Sequence, residues 1–268
     1  MSKSKIVIHA STYRLSMPLI QSEHKTKASI ERVTTGIPGL DEMILGGFPK
    51  GSITLVSGPP GSGKSILCGQ YLYKGIEEGD RCLFLTLDKK VDGLITQTDE
   101  LGMNFRPAID KGQIKFLFLN INKKLVYETM TNEILSGNYE RIVLDSITPI
   151  SEMPIYIKNH EITDNINIID PEELTDKTNF PIRRLHLHYI MNALETSNCT
   201  SLITSELPPN STNLSRDGFS EFLADAVIVL NYDPTMDRRK LTVMKMRSTK
   251  HTLKPQDIEI GYGGLKIV

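Results

Sequence analysis

The sequence is short of cysteine, of any net excess of charge, and of long apolar runs. Cys68, Cys82 and Cys199 are its three cysteines; an odd number without paired metal-ligand spacing excludes a disulfide framework and fits buried thiols in a reducing cytosol. Lys plus Arg number 31 against 32 for Asp plus Glu, a net charge of -1, which argues against a protein that coats nucleic acid by bulk charge and leaves only local basic surfaces for such contact. No run of about 18 apolar residues occurs, and the opening MSKSKIVIHASTYRLSMPLI is too interrupted by polar side chains for a secretory signal. A soluble, cytoplasmic protein with no membrane association is expected. Internal repeats and low-complexity tracts are missing too, so one domain is expected. What is present is ordinary globular composition: 268 residues, 39% hydrophobic and 24% charged, long enough to bury a substantial core without staples.

Residues 1–32 read as a basic, loosely ordered arm, with Lys3, Lys5, Arg14, Lys25, Lys27 and Arg32 against Glu23 and Glu31. It is either a tether for a neighbouring subunit or acidic partner, or a solvated terminus. From Ser52 onward, apolar runs of strand length alternate with longer helix-like stretches: Ile53 to Val56, Ile66 to Ile76, Cys82 to Leu87, Val91 to Leu101. That alternation predicts an α/β fold with a mostly parallel sheet flanked by helices. Further runs, Ile114 to Leu119, Ile142 to Leu144, Ser201 to Ile203 and Ala226 to Leu230, read as strands buried on both faces, with a helix over Ile182 to Thr196. Lys240 to Met246 and Ile258 to Val268 alternate between apolar and polar, predicting antiparallel strands at one edge. Between Pro149 and Pro181 seven acids (Glu152, Glu161, Asp164, Asp170, Glu172, Glu173 and Asp176) face two lysines. Residues 151–181 are therefore an acidic excursion from the core.

The strongest chemical signal is Gly58-Pro59-Pro60-Gly61-Ser62-Gly63-Lys64-Ser65, which satisfies G-x-x-x-x-G-K-[ST] between a predicted strand and a predicted helix. Glycines let successive N–H groups point inward, and the helix beginning near Lys64 offers its positive end to the same spot. A triphosphate matches that cradle. Lys64 is expected on the β and γ phosphates and Ser65 on Mg²⁺, a hard cation that prefers oxygen ligands. The apolar strand Arg141-Ile142-Val143-Leu144-Asp145 ends in an acid at the crevice where parallel sheets bind ligands, so Asp145 is the second metal candidate. His186 and His188 lie two positions apart on a predicted helix, about 200° around it, and cannot share a metal.

The runs Thr35-Gly36-Ile37-Pro38-Gly39-Leu40-Asp41 and Leu45-Gly46-Gly47-Phe48-Pro49-Lys50-Gly51, then the phosphate loop, then Glu221 to Leu230 and Lys245 to His251, together resemble KaiC-like ATPases, the RecA-related group that includes archaeal single-domain members. The resemblance covers residues 33–268 and implies a RecA-like P-loop fold. It implies ATP and Mg²⁺ as cofactors, a preference for adenine that the phosphate cradle itself cannot read, and subunits that form rings or filaments with ATP at their interface. Lys245 and Arg247 then match the basic pair that the family extends toward the γ phosphate held by a neighbour. The family's circadian members carry two such domains, whereas this chain carries one.

Where the family's strand after the phosphate-loop helix ends in two glutamates, one held to be the base for the attacking water, this chain has Asp88 and Lys89. Asp88 keeps a carboxylate on a shorter side chain, and a misplacement of about 1 Å at a reacting centre can cost about a hundredfold in rate. Glu206 is a further candidate near the γ phosphate, because RecA-like topology places its strand between those of the phosphate loop and Asp145. Three functions follow as expectations: a slow or assembly-regulated Mg²⁺-dependent ATPase acting as a nucleotide switch, a non-catalytic ATP-binding scaffold, or a recombinase paralogue acting on DNA. Seven carboxylates in the excursion would repel DNA there rather than attract it.

Overall fold

In the computed structural model the described residues are 30–87, 91–121, 126–152, 179–209 and 211–268; most of the basic arm, most of the acidic excursion and the Asp88-Lys89 pair lie outside them. The elements in order are β1 (Arg32–Val33), α1 (Leu40–Met43), β2 (Phe48–Pro49), β3 (Ile53–Gly58), α2 (Lys64–Glu78), β4 (Cys82–Thr86), α3 (Val91–Glu100), α4 (Arg106–Asp110) and β5 (Ile114–Phe118). They continue with α5 (Val126–Ser136), β6 (Arg141–Asp145), α6 (Thr148–Glu152), α7 (Asn179–Ser197), β7 (Thr200–Glu206), α8 (Ser220–Leu223), β8 (Ala226–Asp233), β9 (Arg238–Met246), β10 (Gln256–Gly261) and β11 (Gly264–Ile267).

Nine strands form one sheet in the order β11-β10-β9-β8-β3-β7-β6-β4-β5. Strands β5, β4, β6, β7, β3 and β8 are parallel, and β9, β10 and β11 continue the sheet antiparallel. The expected architecture is therefore the observed one. The phosphate-loop strand β3 sits inside the sheet, flanked by β7 and β8, so both of its edges are hydrogen-bonded.

The sheet divides the core in two. Cys82, Phe84, Val143 and Leu202 pack toward α2 and its neighbours, while Leu83, Leu85, Ile142, Leu144 and Ile203 pack toward α5, α6 and α7. Successive strand residues point to opposite faces, and both faces are covered, hence the continuous apolar runs. β5 departs from that expectation. It is the outermost strand, only Ile114 on it is buried, Lys115 is exposed and Phe118 is 41% exposed, because edge position leaves it only partly covered. The short antiparallel pairing of Arg32 and Val33 with Pro49 and Phe48 brings the end of the basic segment into the unit formed by Glu31–Val268.

The opening motif serves packing. Asp41 Oδ1 accepts the N–H of Thr35 at 2.9 Å, and Thr35 Oγ1 accepts that of Ile37 at 3.1 Å, so the turn is closed locally. Its Gly36 carbonyl accepts from Gln70 Nε2 at 2.8 Å; the same amide donates to Leu265 O at 3.0 Å and accepts from Leu265 N at 2.8 Å. One buried α2 side chain thus ties the start of the domain to its final hairpin. All three cysteines are buried thiols outside any disulfide, as expected. Among the described residues no helix is long and apolar enough to cross a membrane.

Candidate functional site

Strand β3 is buried along its whole length, so its carboxyl end is fixed before the loop begins. A Cβ at Gly58 would lie 2.3 Å from Leu230 O and 2.7 Å from Ser62 Oγ; only glycine lets the loop leave the sheet there. Ser62 N donates to Pro59 O at 3.2 Å, closing the turn. Gly63 then takes φ +105° as the residue before α2, and a Cβ there would come 2.9 Å from Ile260 Cδ1. Helix α2 therefore starts at Lys64 with its positive end at the loop.

Lys64 is buried, and its ammonium donates to Gly58 O at 2.8 Å and Pro59 O at 3.1 Å. Ser65 Oγ donates to Asp145 Oδ2 at 2.7 Å, and Thr204 Oγ1 donates to Asp145 Oδ1 at 2.6 Å. The sheet order explains the meeting: β7 lies between β3 and β6, so a β7 hydroxyl reaches the acid that ends β6 from one side while α2 supplies Ser65 from the other. Thr204 was not singled out from the sequence, since a threonine in an apolar strand carries no signal until strand order is known. Glu206 ends β7 in register with Gly58. Its side chain is exposed, and its N–H donates to Thr148 Oγ1 at 2.9 Å.

Lys245 and Arg247 lie elsewhere. Met246 pairs with Ala226, which pairs with Thr54, near the amino ends of the parallel strands and about 13 Å along the strand from Gly58. Lys245 Nζ donates to Glu221 O at 3.0 Å and Ala224 O at 2.6 Å. Burial, then the neighbouring Arg247 charge, lowers its pKa from the ordinary lysine value. Arg247 Nη1 pairs with Asp225 at 2.9 Å. The structure thus brings Lys64, Ser65 and Asp145 together with the loop Gly58, Pro59, Pro60, Gly61, Ser62 and Gly63, and sets the basic pair at the other end of the same sheet. Asp88 lies outside the described residues. His188 is exposed and stacks edge-on against Phe219 at 5.4 Å. Among the described residues no three His, Cys, Asp or Glu side chains converge as a self-sufficient metal site.

A phosphate-type loop joining a central parallel strand to a helix, with the Asp145-ended strand two places away, defines a RecA-like P-loop fold. The sequence profile described as "ATPase: KaiC" matches residues 33–268, and the chain belongs to that family. A UPF0273 protein of Methanopyrus kandleri is 29% identical over 249 residues, covering 89% of this chain and 92% of its own. The circadian clock oscillator protein KaiC of Picosynechococcus is 28% identical over 252 residues, which span 89% of this chain and 44% of that protein. Among solved structures, the KaiC-like protein of Pyrococcus horikoshii superposes with a TM-score of 0.72 at 30% identity, over 89% of this chain and 99% of that one.

Proposed function

We propose that this chain binds Mg-ATP at residues 58–65 and Asp145, hydrolyses it slowly or only on assembly, and acts as a nucleotide switch in the cytoplasm. The observation that carries this reading is the Asp145 carboxylate held between the Ser65 and Thr204 hydroxyls at 2.7 and 2.6 Å beside the loop. The donor set suits magnesium: hydroxyl and carboxylate oxygens only, too few to strip the ion of water, as Mg²⁺ sites usually are. The Ser62 hydroxyl, buried within the loop without a hydrogen-bond partner, is a polar group such a ligand could satisfy.

When bound, Mg²⁺ would supply positive charge to offset that of the phosphates. Ser65 and Asp145 would hold it, the latter through its water shell. Lys64, already directed at the loop, is the cation for the β and γ oxygens. The buried strands on either side keep these groups in place before ligand arrives, which is where electrostatic catalysis gains most. Lys245 and Arg247, at the far end of their own sheet, would act on a neighbour's nucleotide, so turnover depends on assembly. Asp88 is the candidate base.

Phosphate release by wild type, Asp88→Glu and Lys64→Ala, beside calorimetric uptake of Mg-ATP, tests the reading. Uptake by wild type with slow release that quickens in Asp88→Glu is expected. No uptake at millimolar nucleotide would sink the proposal. Uptake with release no faster than Lys64→Ala would leave the second reading, a non-catalytic nucleotide-binding scaffold, which the Asp88-Lys89 pair favours.

A further inference from the structure

Strand β5 closes the sheet on one side, with β4 on its inner edge. The register fixes which of its main-chain groups that pairing uses. Gln113 O accepts from Cys82 N and Leu119 N donates to Thr86 O, both at 2.9 Å, so Gln113, Lys115, Leu117 and Leu119 turn their N–H and C=O groups to β4. In a parallel ladder the intervening residues turn theirs the other way. Those of Ile114, Phe116 and Phe118 therefore point out of the sheet, and they meet no hydrogen-bond partner among the described residues. Such a row is a template for one more strand.

The cleft beside this edge states what that strand should carry. About 520 Å³ in volume, it is lined by Ile95 of α3, Ile109 of α4 and Phe116, together with Arg81, Lys115 and Tyr139. Successive strand side chains face opposite ways, and here the two faces differ in chemistry. Phe116 packs on Phe84 and Phe105, so the α3 and α4 face is apolar. Lys115 Nζ reaches Glu133 of α5 at 2.8 Å; a lysine on an edge ordinarily discourages pairing, but this one is tied back and leaves the row clear. Arg81 is exposed with its guanidinium 5.7 Å from the centre of the Tyr139 ring, and Glu140 takes its N–H rather than that side chain. Both charged residues lining the cleft are thus cations, and Arg81 is the one placed to meet a carboxylate from outside. Residues 1–29 of this chain, with Lys3, Lys5, Arg14, Lys25 and Lys27 against Glu23, carry the wrong charge to fill it.

We propose that the outer edge of β5 accepts an extended segment of a different protein as an added strand, its apolar side chains turned to Ile95, Ile109 and Phe116 and an acidic one to Arg81. Main-chain hydrogen bonds supply affinity in this mode of recognition, and the alternate side chains supply selectivity.

Titration of the full chain with a seven-residue synthetic peptide alternating valine with glutamate tests it, by calorimetry and by residue-resolved amide exchange in NMR. Saturable binding is expected, with a dissociation constant on the order of 100 μM. In about 1 mM peptide the Phe116 and Phe118 amides should exchange about tenfold more slowly, while those of Lys115 and Leu117, already bonded to β4, keep their rates. Lysine in place of glutamate should weaken binding about fivefold. Arg81→Gln should erase that preference and retain the melting temperature, because the side chain is exposed. No binding of the glutamate peptide at millimolar concentration overturns the proposal, as does binding that leaves the Phe116 and Phe118 amides exchanging at their original rates. Equal affinity for the two peptides overturns the acidic partner, and a preference that survives Arg81→Gln overturns the part given to Arg81. Slowing of the same amides with protein concentration alone would put a second copy on the edge and also overturn it. Nucleotide uptake does not enter, so the Mg-ATP reading stands or falls separately.

Discussion

At the scale of single residues, the carboxylate of Asp145 has both oxygens engaged, by Ser65 and by Thr204. A carboxylate gripped from two elements cannot turn away from the loop, so its position is set in part by Thr204, which lies outside the loop. Thr204→Val keeps the shape and removes one of the two donors. It should weaken Mg-ATP binding by about tenfold, the value of roughly one hydrogen bond to a charged group, and lower the melting temperature by a few degrees because a buried carboxylate oxygen loses its partner; calorimetry at fixed magnesium checks both. Lys64→Ala should cost more, about a hundredfold, because a full charge is lost. The thiols give a contrasting expectation. Burial pushes Cys82 up to about 12 and raises Cys199 as well, and thiolate is the reactive form. Neither should react with a thiol reagent at about pH 8 until denaturant opens the protein, a difference that colorimetric titration reads directly.

At the scale of elements, α2 does two jobs. Its first turn faces the proposed phosphate site, while Gln70 on the same helix ties the Gly36 loop to β11 with three hydrogen bonds. Gln70→Ala leaves buried backbone groups without partners and should cost about 2 kcal/mol, with the Leu265 amide exchanging faster than in wild type by hydrogen-exchange mass spectrometry. On the other flank, α5 is joined to edge strand β5 by Glu133. Burial pushes that carboxyl up, but hydrogen bonds from Lys115 at 2.8 Å and Tyr139 at 2.6 Å outweigh it and hold the group below its usual range. A depressed acid contributes stability above its unfolded pKa and loses it as pH falls through the folded one. Glu133→Gln should therefore be less stable than wild type near neutrality. The gap should close as pH drops through about 4, as followed by denaturant midpoints across a pH series.

At the scale of the whole molecule, what could be read from the chain depended on how local its cause was. The phosphate loop is eight consecutive residues whose chemistry sits in the backbone and one lysine, so it was visible at once. Parallel strands covered on both faces leave unbroken apolar runs, and these gave the sheet away, except β5, where edge position breaks the rule. Helix α5 is faint in the sequence because Tyr127, Thr129, Thr131 and Asn132 blunt its helical signal. Thr204 and Gln70 drew no attention because their partners lie 59 and 195 residues away; nothing in their immediate sequence distinguishes them. That Lys245 and Arg247 stand at the far end of the sheet from Gly58 could be learned only from strand register.

Arg141 is the extreme case of such hidden dependence. Only 1% exposed, it meets Asp80 at 2.6 Å and Glu78 at 2.5 Å, donates to Thr34 O at 2.7 Å and Tyr71 O at 3.1 Å, and its guanidinium lies 4.8 Å from the centre of the Tyr71 ring. A Cβ at Gly75 would come within 2.5 Å of it. Removing one member of a buried ionic cluster is expensive, so Arg141→Ala should lose about 3 kcal/mol, or about 6–12 °C of melting temperature for a domain of this size, measurable by calorimetric melting.

Arg141 opens β6 and Asp145 closes it, so the strand works as a gauge bar of fixed length, bolted to an ionic anchor at one end and bearing the acid proposed for the metal at the other. A one-residue slip would break both attachments and turn every side chain to the wrong face. Loosening the anchor from the remote side, for example through Thr34 or Glu78, should therefore blur the aim of Asp145 without altering any residue near the nucleotide.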